Sequence, residues 1–428
     1  MTKKEKTIID ISEVKKRFKY PPVDCKPFVR WWWFGGAVTE EELAWELEQM
    51  AKKGIGGVEI QPVYPLSVDK SEKNIINIPY LSHRWLKLLK FTVGKAKKLG
   101  MIVDMTFGSG WPFGGPHISR KLAAKRLRYN YIDVKGPSSF KGKIPGEIEQ
   151  EEKVVCLLTA NLVEDRLKEE SIIDLTNLIS KERILNWTVP VGRWRIMTFV
   201  EGYTGQMVKR ATVGNEGYVL DHFNLQVFQR HADWVGKKIK EAIGGEFGHT
   251  FRAMFCDSWE VYGANWTRNF LEEFKSRRGY NLKRYLPALW NDIGEKTSLI
   301  RYDYFQTVSE LILENFFQPL ANWCNHNGLL ARVQAHGTQA DLLRSYGFAH
   351  IPEGETSRLR SPSPPCKLAS SAAHIYGRKI CSAESFTGLP SWNKNFAGFS
   401  SWAKGQFSPC RFLATMEQIK ATVDALFQ

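Results

Sequence analysis

Two glutamates close short apolar runs in this chain. Glu260 ends Phe251–Glu260 (FRAMFCDSWE), and Glu384 stands near the end of Lys379–Phe386 (KICSAESF). A strand that finishes in a carboxylate suits a barrel enzyme, because its apolar part fills the interior and its last residue stands on the rim beside substrate. Residues so distant in the chain face each other only across a closed sheet. The pair predicts acid/base chemistry on a polar substrate. Trp259, Val261 and Tyr262 give Glu260 apolar neighbours that would raise its pKa and let it keep the proton of a general acid. Ser382, Ala383 and Ser385 leave room for a water beside Glu384, as a general base requires. The blander readings are a rim salt bridge for Glu260 and a capping carboxylate for Glu384.

The elements around these residues read as a parallel sheet with helices outside. Val29–Gly35, Gly57–Val63 and Met101–Gly108 are apolar strands. Between them, Thr39 caps a helix that carries Leu43, Leu47 and Met50 at helical spacing and stops at Gly54, and a second helix runs over His83–Leu99. This alternation of strand and helix argues for an α/β fold. From Tyr129 to Val213 the pattern changes to short alternating runs, at Tyr129–Val134, Val154–Thr159, Asn186–Val189 and Trp194–Glu201. Turn signals at Gly136-Pro137 and Pro190-Val191-Gly192 separate them. Strand signals resume at Phe251–Glu260, Leu330–His336, His350–Glu355 and Lys379–Phe386, with helices at Asn224–Ala242, Thr267–Arg278, Thr297–Asn327, Asp341–Tyr346, Leu368–Tyr376 and Thr415–Phe427. The expectation is a (β/α)8 TIM-type barrel divided into a first part (1–128), an inserted antiparallel β module (129–213) and a continuation (214–428). Seven strands are countable, so the chain is expected to stop before strand eight.

Composition narrows the class. Of 428 residues, 43% are hydrophobic and 13% aromatic, enough for a full core. No apolar run approaches the roughly 20 residues of a membrane span, and the lysine-rich start lacks a secretory pattern. The chain therefore reads as cytoplasmic unless its export signal is missing. Seven cysteines without a CxxC pair argue against a disulfide framework and against zinc. The formal charge of +15 fits a solvated lysine surface or an acidic polysaccharide partner. No arginine-rich arm or nucleic-acid motif accompanies it.

Five stretches resemble glycoside hydrolase family 106, the α-L-rhamnosidases: WWWFGGAVTEEELAWELEQMAKKGIGGVEI, FGSGWPFGGPHIS, FCDSWEVYGANWTRNFLEEFKSRRGYNLKRYLPAL, ARVQAHGTQADLLRSYGFAHIPEGE and SAESFT. They occur in family order from about Val29 to Thr387. The resemblance implies an inverting hydrolase that removes terminal α-L-rhamnose from glycosides or pectic polysaccharides, with calcium at the sugar site. In that frame Glu260 is the general acid, and Glu384 activates water on the opposite face of the sugar.

The remaining candidates fall on the same rim. Glu353 and Glu355 stand two apart, share a face of a strand, and could hold calcium, a hard cation that takes carboxylate oxygens, or a sugar hydroxyl. Asp257, three positions before Glu260, could orient it or bind hydroxyls. Glu59 ends the second strand and could touch sugar or metal, and His336 could donate to substrate. Trp33 and Trp111 could stack on the apolar face of a sugar, although tryptophan is also a common core residue. Asp104 reads as an interior hydrogen-bonded group. The competing readings are a non-catalytic carbohydrate-binding barrel and a barrel hydrolase for another sugar.

Overall fold

The computed structural model describes residues 10–73, 75–356 and 364–386, together with 420 and 423. Its first strands are β1 (Phe28–Phe34), β2 (Gly57–Val63), β3 (Ile102–Thr106) and the short β4 (Gly114–Gly115). Then come β5 (Lys125–Lys143), β6 (Lys153–Val163), β7 (Arg166–Leu167), β8 (Ile173–Asp174), β9 (Ile184–Tyr203) and β10 (Tyr218–Val219). The last four are β11 (Phe251–Cys256), β12 (Leu330–Val333), β13 (Ile351–Thr356) and β14 (Ser382–Ser385). One sheet holds seven of these in the order β1-β2-β3-β11-β12-β13-β14. Every neighbouring pair in it is parallel. The sheet curls into a half-barrel. A side chain on its first strand, Arg30, donates to a side chain on its last, Glu384, at 2.8 Å.

Nine α-helices accompany the sheets among the described residues: α1 (Ile11–Lys19), α2 (Glu40–Lys52), α3 (His83–Lys98), α4 (Leu225–Ile243), α5 (Phe270–Arg278), α6 (Thr297–Ile312), α7 (Gln318–His326), α8 (Leu342–Phe348) and α9 (Pro364–Ile375). Local chemistry sets the starts of several. The Thr39 hydroxyl accepts from the Glu42 N–H at 3.2 Å, Ser82 from Trp85 at 3.3 Å and Asn224 from Gln226 at 3.0 Å, each satisfying an N–H with no partner inside its helix. Helix α3 buries Trp85, Leu88, Leu89, Thr92, Val93 and Ala96, one stripe at 3.6-residue spacing. Helix α4 buries a similar stripe, and within it Gly236 lets α7 come close. A Cβ there would stand 2.2 Å from the ring of Trp323.

The helix expected over 297–327 is interrupted. A π turn at Leu313–Phe317 separates α6 from α7. Pro319, in the first turn of α7, has no N–H to give to residue 315, and the wider turn absorbs that loss. The helix expected at 415–427 lies outside the described residues except at 420 and 423.

Between β3 and β11 the chain builds a separate antiparallel sheet, with β9 between β5 and β6. Its strands are longer than the sequence suggests. The runs at Asn186–Val189 and Trp194–Glu201 form the single strand β9, and Pro190–Gly192 lies inside it. Gly136 and Gly192 pair across the ladder, where β5 slips register between Gly136 and Ser138. A bulge there bends both strands together, so the expected turns become a shared kink.

Strand β11 ends at Cys256 and β12 at Val333. Glu260 and His336 therefore lie in the loops that follow, and Asp257 is the first residue beyond β11. Five of the described cysteines are free thiols: Cys156, Cys256 and Cys324 are buried, and Cys25 and Cys381 are exposed. No helix among the described residues is long and apolar enough to cross a membrane.

Candidate active site

Alternation along β1 decides what enters the concave side of the sheet. Trp31 donates its indole N–H to Glu46 of α2, and Trp33 packs edge-on against Trp85 of α3, so both point to the helices. Successive strand residues face opposite ways, which sends Arg30, Trp32 and Phe34 inward. Arg30 is the centre of the site. Its guanidinium lies 3.1 Å from Glu59, 3.5 Å from Asp257, 3.8 Å from Glu353 and 2.8 Å from Glu384.

A second arginine completes the cluster. Arg332 of β12 pairs with Glu59 at 2.9 Å, with Asp104 at 3.4 Å and with Glu353. Arg252 also pairs with Asp104, at 2.6 Å. The Phe255 ring lies 4.8 Å from each of the Arg30 and Arg332 guanidinium carbons and separates these two like charges. Glu59, Asp104 and Glu353 have no exposed surface. Buried charges persist only when they are paired, because isolating any one costs several kcal/mol.

Electrostatics divide these carboxylates. Burial lifts Glu59 to about 7 against the pull of Arg30 and Arg332. Burial likewise lifts Asp257 to about 6; Arg30 opposes that rise and Glu384 reinforces it. Glu353 is buried as well, yet the charge and hydrogen bond of Arg332, with Arg30 and Ser382, hold it below the usual carboxylate range. The hydrogen bond from His336, at 2.9 Å, does the same for Glu355.

Glu384 accepts from Arg30 at 2.8 Å and from the Gln334 amide at 2.8 Å, and in the ladder it sits directly beside Glu355. Asp257 accepts from the Ser258 N–H at 2.7 Å. His336 is fixed from both sides, by Glu355 and by Tyr346, whose hydroxyl is 3.3 Å from its Nδ1. Trp111 is nearly buried, edge-on to Trp32 at 6.4 Å.

Glu260 stands apart from the arginine cluster. Its carboxylate meets the Lys209 ammonium, the Tyr262 hydroxyl at 3.2 Å and the Ser258 hydroxyl at 3.5 Å. The surroundings expected from its sequence neighbours are not the ones it has. Trp259 and Val261 are buried in the core, and a cation faces the acid instead.

The structure therefore brings Asp257, Glu59, Glu353 and Glu384 into one network through Arg30. Glu355 and His336 lie at its edge, and Glu260 sits in the loop three residues beyond Asp257. Trp33 is a correction: its ring is fully buried among Trp31 and Trp85 and has no free face for a ligand. Trp32, one position earlier, is the inward tryptophan. The calcium expectation also meets an obstacle. Both Glu353 oxygens are occupied, one by Gln334 and the other by Arg332 and Ser382. A divalent cation there would have to displace a guanidinium, so Glu353 and Glu355 as arranged do not fit a calcium site. Among the described residues no three His, Cys, Asp or Glu side chains form a metal-holding group.

Sequence reasoning missed Arg30, Arg332 and Gln334. A signal was present: a charged or amide side chain at an inward position of an apolar strand must be buried, and buried charge demands partners. Lys209 and Gln206 carried no such signal, because the loop that holds them has no periodicity.

Comparison with known proteins agrees with this architecture. The chain is 28% identical over 444 aligned positions to a protein of Formosa agariphila named "Putative beta-glucuronidase", covering 92% of this chain and 37% of that one. Its fold matches that of the rhamnosidase from Novosphingobium sp. PP1Y with a TM-score of 0.69 at 18% identity, over 87% of this chain and 53% of that one. The chain thus spans little more than a third of the first relative's length and about half of the second's. The family model for α-L-rhamnosidases matches residues 19–157 and 149–398. With that match extending across most of its length, the chain belongs to glycoside hydrolase family 106.

Proposed function

We propose that this chain carries the catalytic centre of an inverting α-L-rhamnosidase, with Glu260 as general acid and Glu384 as general base. The observation that carries the reading is the position of Arg30. It touches Glu384 at the end of β14 and Asp257 at the start of the loop that bears Glu260. A carboxylate from the loop after β11 and one from β14 thereby meet on the concave side of one curled parallel sheet, and barrel enzymes place their chemistry on the loops and strand ends of such a sheet. The seven strands are read as most of an eight-stranded barrel, with the antiparallel sheet inserted after β3.

In this reading Glu384, held between Arg30 and Gln334, accepts a proton from water and directs that water at the anomeric carbon. Glu260, on the more open side, gives its proton to the departing oxygen. Inversion requires the two carboxyls to be about 6.5–9.5 Å apart, with the water between one of them and the sugar. In the same reading Asp257, His336, Trp111 and Glu355 bind hydroxyls or the ring. Substrates would be rhamnose-bearing glycosides, oligosaccharides or pectic polymers. No step is routed through calcium.

The name of the Formosa agariphila relative, whose alignment covers 92% of this chain, favours a second reading, hydrolysis of a glucuronide. A panel of alkyl α-L-rhamnoside and alkyl β-D-glucuronide, whose leaving groups need a proton, separates the two with the full-length protein. Turnover of the rhamnoside that falls about 10²–10⁴-fold in both Glu260→Gln and Glu384→Gln supports the first. Turnover of the glucuronide alone replaces it with the second.

A further inference from the structure

Residues 204–213 form a strap over the rim that joins the antiparallel sheet to three loops of the parallel one. Arg210 accepts from the Tyr64 N–H at 3.0 Å, in the loop after β2. Lys209 and Trp111 exchange backbone hydrogen bonds at 2.8 and 3.1 Å, in the loop after β3. The approach is tight enough that a Cβ on Gly110, whose φ is +64°, would fall 2.0 Å from the Lys209 carbonyl oxygen. In the loop after β11, the Gln206 amide donates to the Glu260 carbonyl at 2.7 Å and accepts from the Tyr262 N–H at 2.8 Å. Gln206 thus holds the backbone on both sides of the Glu260–Tyr262 turn.

From the same strap, the Lys209 ammonium reaches the Glu260 carboxylate and the Tyr262 hydroxyl, the latter at 2.7 Å, and lies 4.3 Å from the Tyr262 ring centroid. Among the described residues, the titratable groups facing the Glu260 carboxylate are Lys209 from the strap and Tyr262 from its own turn. We infer that Lys209 is a positioning residue for the acid: held by the strap, it aims the Glu260 carboxylate. The inference rests on the reading of Glu260 as general acid and adds the device that controls it.

The contact is partly open to solvent, with 35% of the Lys209 side chain and 31% of that of Glu260 accessible. It registers on Lys209: burial lowers its pKa, but hydrogen bonds to Glu260 and Tyr262 outweigh that and raise it.

The test is the steady-state kinetics of Lys209→Met and Lys209→Arg in the full-length protein on a rhamnosyl disaccharide, with Glu260→Gln as reference. Lys209→Met should lower kcat about tenfold and leave KM near the parent value, because aim and not binding is lost, and Lys209→Arg should recover most of kcat. On a nitrophenyl rhamnoside, whose phenolate leaves without a proton, Lys209→Met should lose little. An impaired Glu260→Gln together with a parental kcat in Lys209→Met, or with equal losses in Lys209→Met on both substrates, overturns the role of Lys209 alone. Full activity of Glu260→Gln on the disaccharide overturns the acid assignment itself.

Discussion

Arg30 and Glu384 lie on the first and last strands of the parallel sheet, 354 residues apart, and meet through a hydrogen-bonded ion pair of 2.8 Å. The contact closes the curl of the sheet and ties the proposed base to the most charge-burdened residue of the interior. Replacing Arg30 by Met strands Glu59, Asp257, Glu353 and Glu384 without their shared cation. Breaking a buried pair from one side costs about 3–5 kcal/mol. Chemical denaturation of Arg30→Met should show a loss of that order, and Arg30→Lys should recover only part of it, since an ammonium cannot span four carboxylates.

Glu59 gives a pH-dependent prediction. Its folded-state carboxyl is raised to about 7 by burial, from an ordinary value of 4.5. The folded chain thus holds a proton that the unfolded chain has released, and this contribution to stability falls as pH rises from 4.5 to 7. Glu59→Gln lacks the titration. The melting temperature of the variant relative to the parent should therefore shift in the variant's favour across that window. A difference that stays flat with pH would show that Glu59 is ionised throughout.

The two central tryptophans of β1 should behave oppositely. Trp33→Ala removes a fully buried ring from the helix-facing core, which costs about 3–5 kcal/mol. Trp32→Ala should cost less stability and raise KM several-fold, because its ring lies on the concave side next to Trp111. Thermal unfolding paired with steady-state kinetics separates these outcomes.

Chelation should leave this part of the protein unmoved. Glu353 already spends both oxygens on Arg332, Gln334 and Ser382. Excess EDTA should not change the melting temperature of the residue 1–428 chain. A fall that added calcium restores would show that the carboxylates rearrange around a metal.

Leaving-group dependence distinguishes the two proposed roles. If Glu260 protonates the departing oxygen, Glu260→Gln should lose far less activity on a nitrophenyl rhamnoside than on a rhamnosyl disaccharide, because the phenolate leaves without help. Glu384→Gln should lose about equally on both, since water activation is independent of the leaving group. Equal losses for Glu260→Gln would remove its acid role.

Much of this protein was legible in one dimension. The alternation of strand and helix, the cap at Thr39 and the acidic residues near the ends of apolar runs are local facts, and local hydrogen bonding and periodicity decide them. Glu59, Asp257, Glu353 and Glu384 could be named as candidates because a carboxylate in an apolar run is conspicuous by itself, but the rim expected for Glu59 and Glu353 was not found: each is the third residue of its strand and fully buried. What only the folded chain decided was company and direction. Parity along β1 put Trp32 inward and Trp33 outward, a difference of one position that no composition reveals. The early stop of β11 left Asp257 under Arg30 and carried Glu260 out to Lys209, whose loop has no sequence signature at all. Partners of charged groups are chosen by distance in space, where Coulomb energy acts, and the curl of the sheet sets those distances between residues hundreds of positions apart.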